Sequence, residues 1–201
     1  MNRGRGLADA NILVGTDSRR EKEPSWKMRR AVVVMPHDVR WKAEFASESR
    51  LVARCLGEDV IATHHIGSTS IAGIFAKPII DLLIEVSDVH AVDSCNEAME
   101  LAGYESMGEF GIPGRRYFRK DDEGGVRSHQ VHVFQSGDPE LQRHLDFRDF
   151  MLAHPAIAQE YSDLKRALAL AHPEDSDAYM DGKDAFIRGV DERAAVWRRG
   201  A

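Results

Sequence analysis

The run Ile79-Ile80-Asp81-Leu82-Leu83-Ile84-Glu85-Val86 constrains this chain more than any other segment. It is rich in β-branched residues and leucine, and Lys77-Pro78 closes the loop before it. The spacing predicts a strand, the strongest in the sequence. Parity places Ile80, Leu82, Ile84 and Val86 on one face, and Ile79, Asp81, Leu83 and Glu85 on the other. Asp81 is therefore a carboxylate in the middle of an oily strand. Strands disfavour aspartate, and burying an unpaired charge is costly. A metal ion, a lysine or arginine, or hydroxyl donors must compensate, and Lys77 and Ser68 are the nearest candidates along the chain. The plain alternative is a structural ion pair.

Upstream, residues 60–66 predict a second strand that runs into Gly67-Ser68-Thr69-Ser70. A glycine followed by three hydroxyl residues suits an anion. Glycine permits the tight turn and leaves its N–H facing outward, and the hydroxyls are rotatable donors for phosphate oxygens. An ordinary polar turn has the same composition. No lysine follows the glycine loop in the Walker pattern, and no Gly-x-Ser-x-Gly elbow is present, which argues against a P-loop kinase and a serine hydrolase.

The remaining pattern sets the architecture. Residues 1–30 have little periodicity and are read as a flexible N-terminal extension, with 31–201 as a single domain. Asp38 is placed to cap a helix carrying Trp41, Phe45, Val52 and Leu56 on one face, with Gly57 at its end. A helix is expected over 88–102, then strands over 104–107, 116–120 and 130–134. From Asp138-Pro139 to Trp197 the pattern is helical, broken at His154-Pro155 and His172-Pro173. This order predicts an α/β (α+β) chain: a mixed sheet flanked by helices, with a C-terminal helical layer.

A net charge of -6 gives no strong nucleic-acid signal. Cys55 and Cys95 lack metal-site spacing and read as reduced thiols. No stretch has the length and apolarity of a membrane span, so a cytoplasmic location without membrane contact is expected. Nothing in the sequence sets the oligomeric state.

The stretch from His64-His65-Ile66-Gly67-Ser68-Thr69-Ser70 to Ala76-Lys77-Pro78-Ile79-Ile80-Asp81 resembles the signature of the GrpB family (UPF0157). The likeness continues through His132-Val133-Phe134, Phe147-Arg148-Asp149-Phe150 with His154-Pro155, and Tyr161, Lys165, Tyr179, Lys183 and Trp197 in order. The resemblance implies a nucleotidyltransferase-like fold. In that superfamily a Gly-Ser loop holds a triphosphate, and two carboxylates two residues apart on the next strand bridge Mg²⁺ ions.

Carried over, it implies that Gly67, Ser68, Thr69, Ser70 and Lys77 hold phosphates. Arg116, whose Arg116-x-Phe118 context also resembles a family element, would join them. Asp81 would be the catalytic and metal-binding residue, with Glu85 or His132 as further metal ligands. The implied reaction is Mg²⁺-dependent transfer of a nucleotidyl group from an NTP to a small acceptor. This chain departs from the pattern: Leu83 stands where the second carboxylate belongs, and Glu85 lies four residues from Asp81, roughly 13 Å along a strand. The comparable later strand offers Gln130 and His132.

Two other function classes therefore stand beside the enzyme. One is a non-catalytic accessory domain binding a nucleotide or another phosphorylated small molecule, with a CoA link implied by family members fused to dephospho-CoA kinase. The other is a protein-interaction module using the C-terminal helices. His132 is as readily a hydrogen-bonded strand histidine as a ligand. Arg148 and Lys165 lie beside apolar stripes; each could project toward the loop and bind phosphates, but a surface ion pair is the favoured reading. Packing explains Tyr179, and Lys183, four residues on, is left open.

Overall fold

The computed structural model describes residues 31–200. The expected extension over 1–30 lies outside the described residues. Five strands form one sheet: β1 (Val60–Ile66), β2 (Ile80–Val86), β3 (Glu105–Ser106), β4 (Arg116–Asp121) and β5 (Arg127–Gln135), in the order β1-β2-β5-β4-β3. β2 and β5 run parallel, and every other pair is antiparallel. A parallel pair needs a crossover, which here comprises a short helix and the β3–β4 hairpin. The expected mixed sheet with helical flanks and a C-terminal helical layer is the architecture found.

The strand parity expected at β2 holds. Ile80, Leu82, Ile84 and Val86 are buried with Val131, Val133 and Phe118 against Val52 and Leu56 of α1 (Trp41–Leu56) and Met99 of α2 (Asn96–Leu101). On the opposite face Ile66, Leu83 and Phe134 meet Leu141 of α3 (Pro139–Ala153). Helices α4 (Pro155–Ala171) and α5 (Ser176–Arg199) pack with α3 as an outer layer. That layer also grips the segment after β1. Ile71 and Ile74 are buried against Phe150, Ile157, Tyr161 and Val190. The buried Ser162 hydroxyl of α4 accepts the Phe75 N–H at 2.9 Å. The C-terminal layer is thereby pinned to the glycine-hydroxyl loop.

Four local expectations change. Asp38 does not cap α1; its carboxylate accepts the Arg40 N–H at 2.9 Å and pairs with the Arg40 guanidinium, so the helix begins at Trp41. The helix expected over 88–102 is a 3₁₀ turn (Ala91–Cys95) followed by α2. Gln135 takes the Val89 N–H and Asp88 takes the His90 N–H, both at the first turn. Side chains that capture backbone donors in this way compete with helix formation. β3 keeps only two of its four expected residues, and β5 starts three residues earlier. No helix among the described residues is long and apolar enough to cross a membrane.

Candidate functional site

Antiparallel pairing of Ile66 with Asp81 sets the end of β1 beside the start of β2. Gly67 follows with φ 68°, a backbone region that glycine enters without penalty. A β-carbon at Gly67 would stand 2.1 Å from Asp81 Oδ2. The carboxylate thus occupies the space that any other residue at 67 would need. No side chain or backbone group among the described residues donates a hydrogen bond to it. Burial pushes its pKa up to about 7, against a downward pull from Lys183.

The three hydroxyls of the loop part ways. Thr69 is only 2% exposed and faces inward. It donates to the Ile79 carbonyl at 3.1 Å and lies 3.0 Å from His65 Nε2. Its single proton goes to Ile79, so it accepts from an Nε2–H of His65. Ser70 donates back to the Gly67 carbonyl at 2.7 Å. Both hydroxyls are consumed in shaping the loop, which corrects their expected role in phosphate binding. Ser68 is the loop hydroxyl that faces the C-terminal layer, where it pairs with the Tyr161 hydroxyl. The 3₁₀ turn Ser68–Ser70 leaves the N–H groups of Ser68 and Thr69 without acceptors inside the turn. His65, stacked on Phe45 at 4.7 Å, is pushed down to about 4 by burial and Arg148, so this clamp keeps an uncharged imidazole at neutral pH.

Lys77 and Lys165 gather around Lys183, the lysine whose charge acts on Asp81. Lys77 Nζ lies 4.3 Å and Lys183 Nζ 4.5 Å from the centre of the Tyr179 ring, and Lys165 Nζ lies 4.4 Å from that of Tyr161. None of the three has a carboxylate within ion-pair distance among the described residues; the one hydrogen bond of Lys183 Nζ among them goes to the Met180 sulfur, at 3.1 Å. Lys165 is 1% exposed and its buried ammonium nitrogen has no hydrogen-bond partner. Burial, then repulsion from Lys183, pushes it down to about 7. Burial and repulsion from Lys77 bring Lys183 down to about 8, with Asp81 pulling the other way. Burial lowers Lys77 and raises Tyr161 to about 12.

Lys165 is therefore not a surface ion pair, and Tyr179 is more than packing, since it carries two ammonium groups on one ring. The signal was present in the sequence. Ala158, Tyr161, Ser162 and Lys165 lie on the buried stripe of α4, and Tyr179, Lys183, Val190 and Ala194 on that of α5. A lysine at a stripe position either snorkels to water or meets an anion.

The structure does not bring Arg116 to this cluster. It pairs with Val133 across the ladder, on the face opposite Asp81, and Asp93 holds its guanidinium at 2.6 and 2.7 Å. Glu85 accepts from Ser136. His132 shares the face of Asp81, but its Nδ1 lies 3.3 Å from the Arg115 guanidinium, and burial holds it far below the usual imidazole range. Leu83, between these groups, is fully buried core. Among the described residues no three histidine, cysteine or acidic side chains gather as a metal cluster. A two-ion Mg²⁺ centre does not fit this donor set. Lys183 acts on Asp81, and Lys77 and Lys165 interact with Lys183, a cluster of amines that suits an anion.

The family model described as GrpB protein matches residues 31–193. The chain is 45% identical to UPF0157 protein YqkA of Bacillus subtilis (strain 168) over 172 residues, 86% of this chain and 50% of that protein. It is 35% identical to Glutamate-rich protein GrpB of Alkalihalophilus pseudofirmus over 159 residues, 78% of this chain and 91% of that protein. Among solved structures, the crystal structure of conserved protein GrpB from Enterococcus faecalis aligns with a TM-score of 0.77 at 42% identity, covering 81% of this chain and 96% of that one. The chain thus spans half the length of the Bacillus relative and nearly all of the other two.

Proposed function

The chain belongs to the GrpB family, and from that premise we propose that it binds a polyphosphate-bearing small molecule at the lysine cluster, between the sheet and the C-terminal helices. Lys77, Lys165 and Lys183 neutralise the phosphates, Ser68 and Tyr161 donate hydrogen bonds to them, and Asp81 lies beside Lys183. What carries the reading is Lys165, a buried amine with no partner in a cluster of like charge. Such a group is retained at a cost to folding unless an anion joins it. The test is calorimetric titration with inorganic tripolyphosphate and with NTPs. Saturable binding that weakens at least tenfold in Lys165→Met or Lys183→Met supports the reading, and no binding at millimolar ligand refutes it.

A second reading, Mg²⁺-dependent nucleotidyl transfer to a small acceptor, draws on the Asp81 carboxylate, whose oxygens accept no hydrogen bond from the described residues. Magnesium is commonly held by one carboxylate together with substrate phosphates. A single ion brought in with the ligand would add Lewis-acid charge at Asp81. The two readings separate cleanly. Binding that survives a chelator without product formation favours the accessory domain. Metal-dependent product formation lost in Asp81→Asn favours the transferase.

A further inference from the structure

The turn between β3 and β4, Gly108-Glu109-Phe110-Gly111-Ile112-Pro113-Gly114, plays no part in the phosphate reading. Ile112 packs on the cluster of Ile66, Leu83, Phe134 and Leu141, so the turn folds over the same sheet face that carries Asp81. Gly108, Gly111 and Gly114 all have positive φ. Phe110 shares that region at φ 43°, alone among the non-glycine residues described. A β-carbon makes this conformation unfavourable, and a glycine would relieve it.

One buried arginine holds the turn in this shape. Arg115 is 6% exposed; it donates through Nη2 to the Phe110 carbonyl at 2.6 Å and through Nε to the Glu109 carbonyl at 3.2 Å, while Nη1 lies against His132. Its guanidinium also lies 4.9 Å from the Tyr117 ring. The Phe110 ring stacks on Tyr117 with centres 5.2 Å apart and planes 18° from parallel. Tyr117 is buried, and Phe110 is 51% exposed. Tyr117 pairs with His132 and so points to the Asp81 side of the sheet; after burial, the charges of Arg127 and Asp81 act on its hydroxyl.

Core packing does not explain a phenylalanine held in an unfavourable backbone state with one ring face turned to water. Strain that the surroundings enforce in this way is a mark of functional positions. We propose that Phe110, backed by Tyr117, is the platform on which an aromatic base of the ligand stacks, so that the ligand is a nucleoside polyphosphate and not a bare polyphosphate or a phosphorylated sugar. The inference rests on the phosphate reading of the lysine cluster. It adds a second subsite on the sheet face that carries Asp81, and stacking on an aromatic ring tolerates any base.

The experiment compares inorganic tripolyphosphate, ribose 5-phosphate, ATP and UTP on the full chain and on Phe110→Ala and Phe110→Trp, with thermal melts as folding controls. In the unaltered chain both nucleotides bind about five- to hundred-fold more tightly than tripolyphosphate, the range expected for one stacked base. Phe110→Ala closes that gap. Phe110→Trp keeps it, and the emission added by the new indole is quenched by ATP and not by tripolyphosphate. Equal affinity for ATP and tripolyphosphate in the unaltered chain, or a gap that persists in Phe110→Ala, overturns the platform and leaves the lysine site intact. Failure of tripolyphosphate itself to bind overturns the phosphate reading and the platform with it.

Discussion

Replacing Lys165 by methionine stabilises the unliganded protein and weakens its hold on phosphates. Methionine keeps the unbranched length of the side chain and removes the amine. In the folded chain the amine titrates near 7, against an ordinary value of 10.5, because it is buried beside Lys183 without a partner. At pH 8 the unfolded chain therefore holds a proton there that the folded chain has released. At ~1.36 kcal/mol per pH unit, this difference costs folding about 3 kcal/mol.

Between about 7 and 10.5 the unfolded state binds more protons, so this penalty shrinks as pH rises through the window and vanishes above it. Below about 7 both states are protonated and the penalty is at its full size. Urea denaturation of both proteins at pH 6, 8 and 10 should show a gain for Lys165→Met that is largest at pH 6 and smallest at pH 10. Calorimetry at pH 8 in buffers of different ionisation enthalpy should show that tripolyphosphate binding to the unaltered chain takes up about one proton, and less in the variant. A variant less stable at every pH, which means a stabilising partner for Lys165, or a gain that ignores pH, which means that folding leaves the amine's proton affinity unchanged, refutes the reasoning.

Gly67→Ala meets both a positive φ and the Asp81 carboxylate, so it should lower stability by about 1–3 kcal/mol and abolish ligand binding, as read by denaturation and calorimetry. Asp81→Asn should raise stability at pH 8 and have little effect at pH 3. The folded acid keeps its proton up to about 7 while the unfolded one loses it near 3.8, so the native carboxylate costs stability progressively as pH rises between those values. Thr69→Val removes the donor to the Ile79 carbonyl and the acceptor for His65, and should cost about 1–3 kcal/mol. If Thr69 instead contacted phosphate directly, affinity would fall with stability unchanged.

The strands, the α1 face and the three C-terminal helices were legible because hydrophobic period and proline placement are local properties. The short α2 was not, because Gln135, far along the chain, captures the Val89 donor. Asp81 was legible as an anomaly in an apolar strand, and Gly67 as the turn beside it. Arg116 was misplaced because a signature gives the order of residues and not the sheet face; the ladder partner Val133 puts it on the far side. Thr69 and Ser70 look like Ser68 in sequence, and only their inward bonds to Ile79, His65 and Gly67 distinguish them.

By itself the sequence determined the element order, the family and the one carboxylate that an oily strand must explain. Only the tertiary structure decided what faces that carboxylate. Lys77, Lys165 and Lys183 come from a loop and two separate helices, and the packing of those helices on Ile71, Ile74 and Phe75 brings them together. Charge becomes chemically consequential when water is excluded, and exclusion is a property of packed surfaces that no single segment carries.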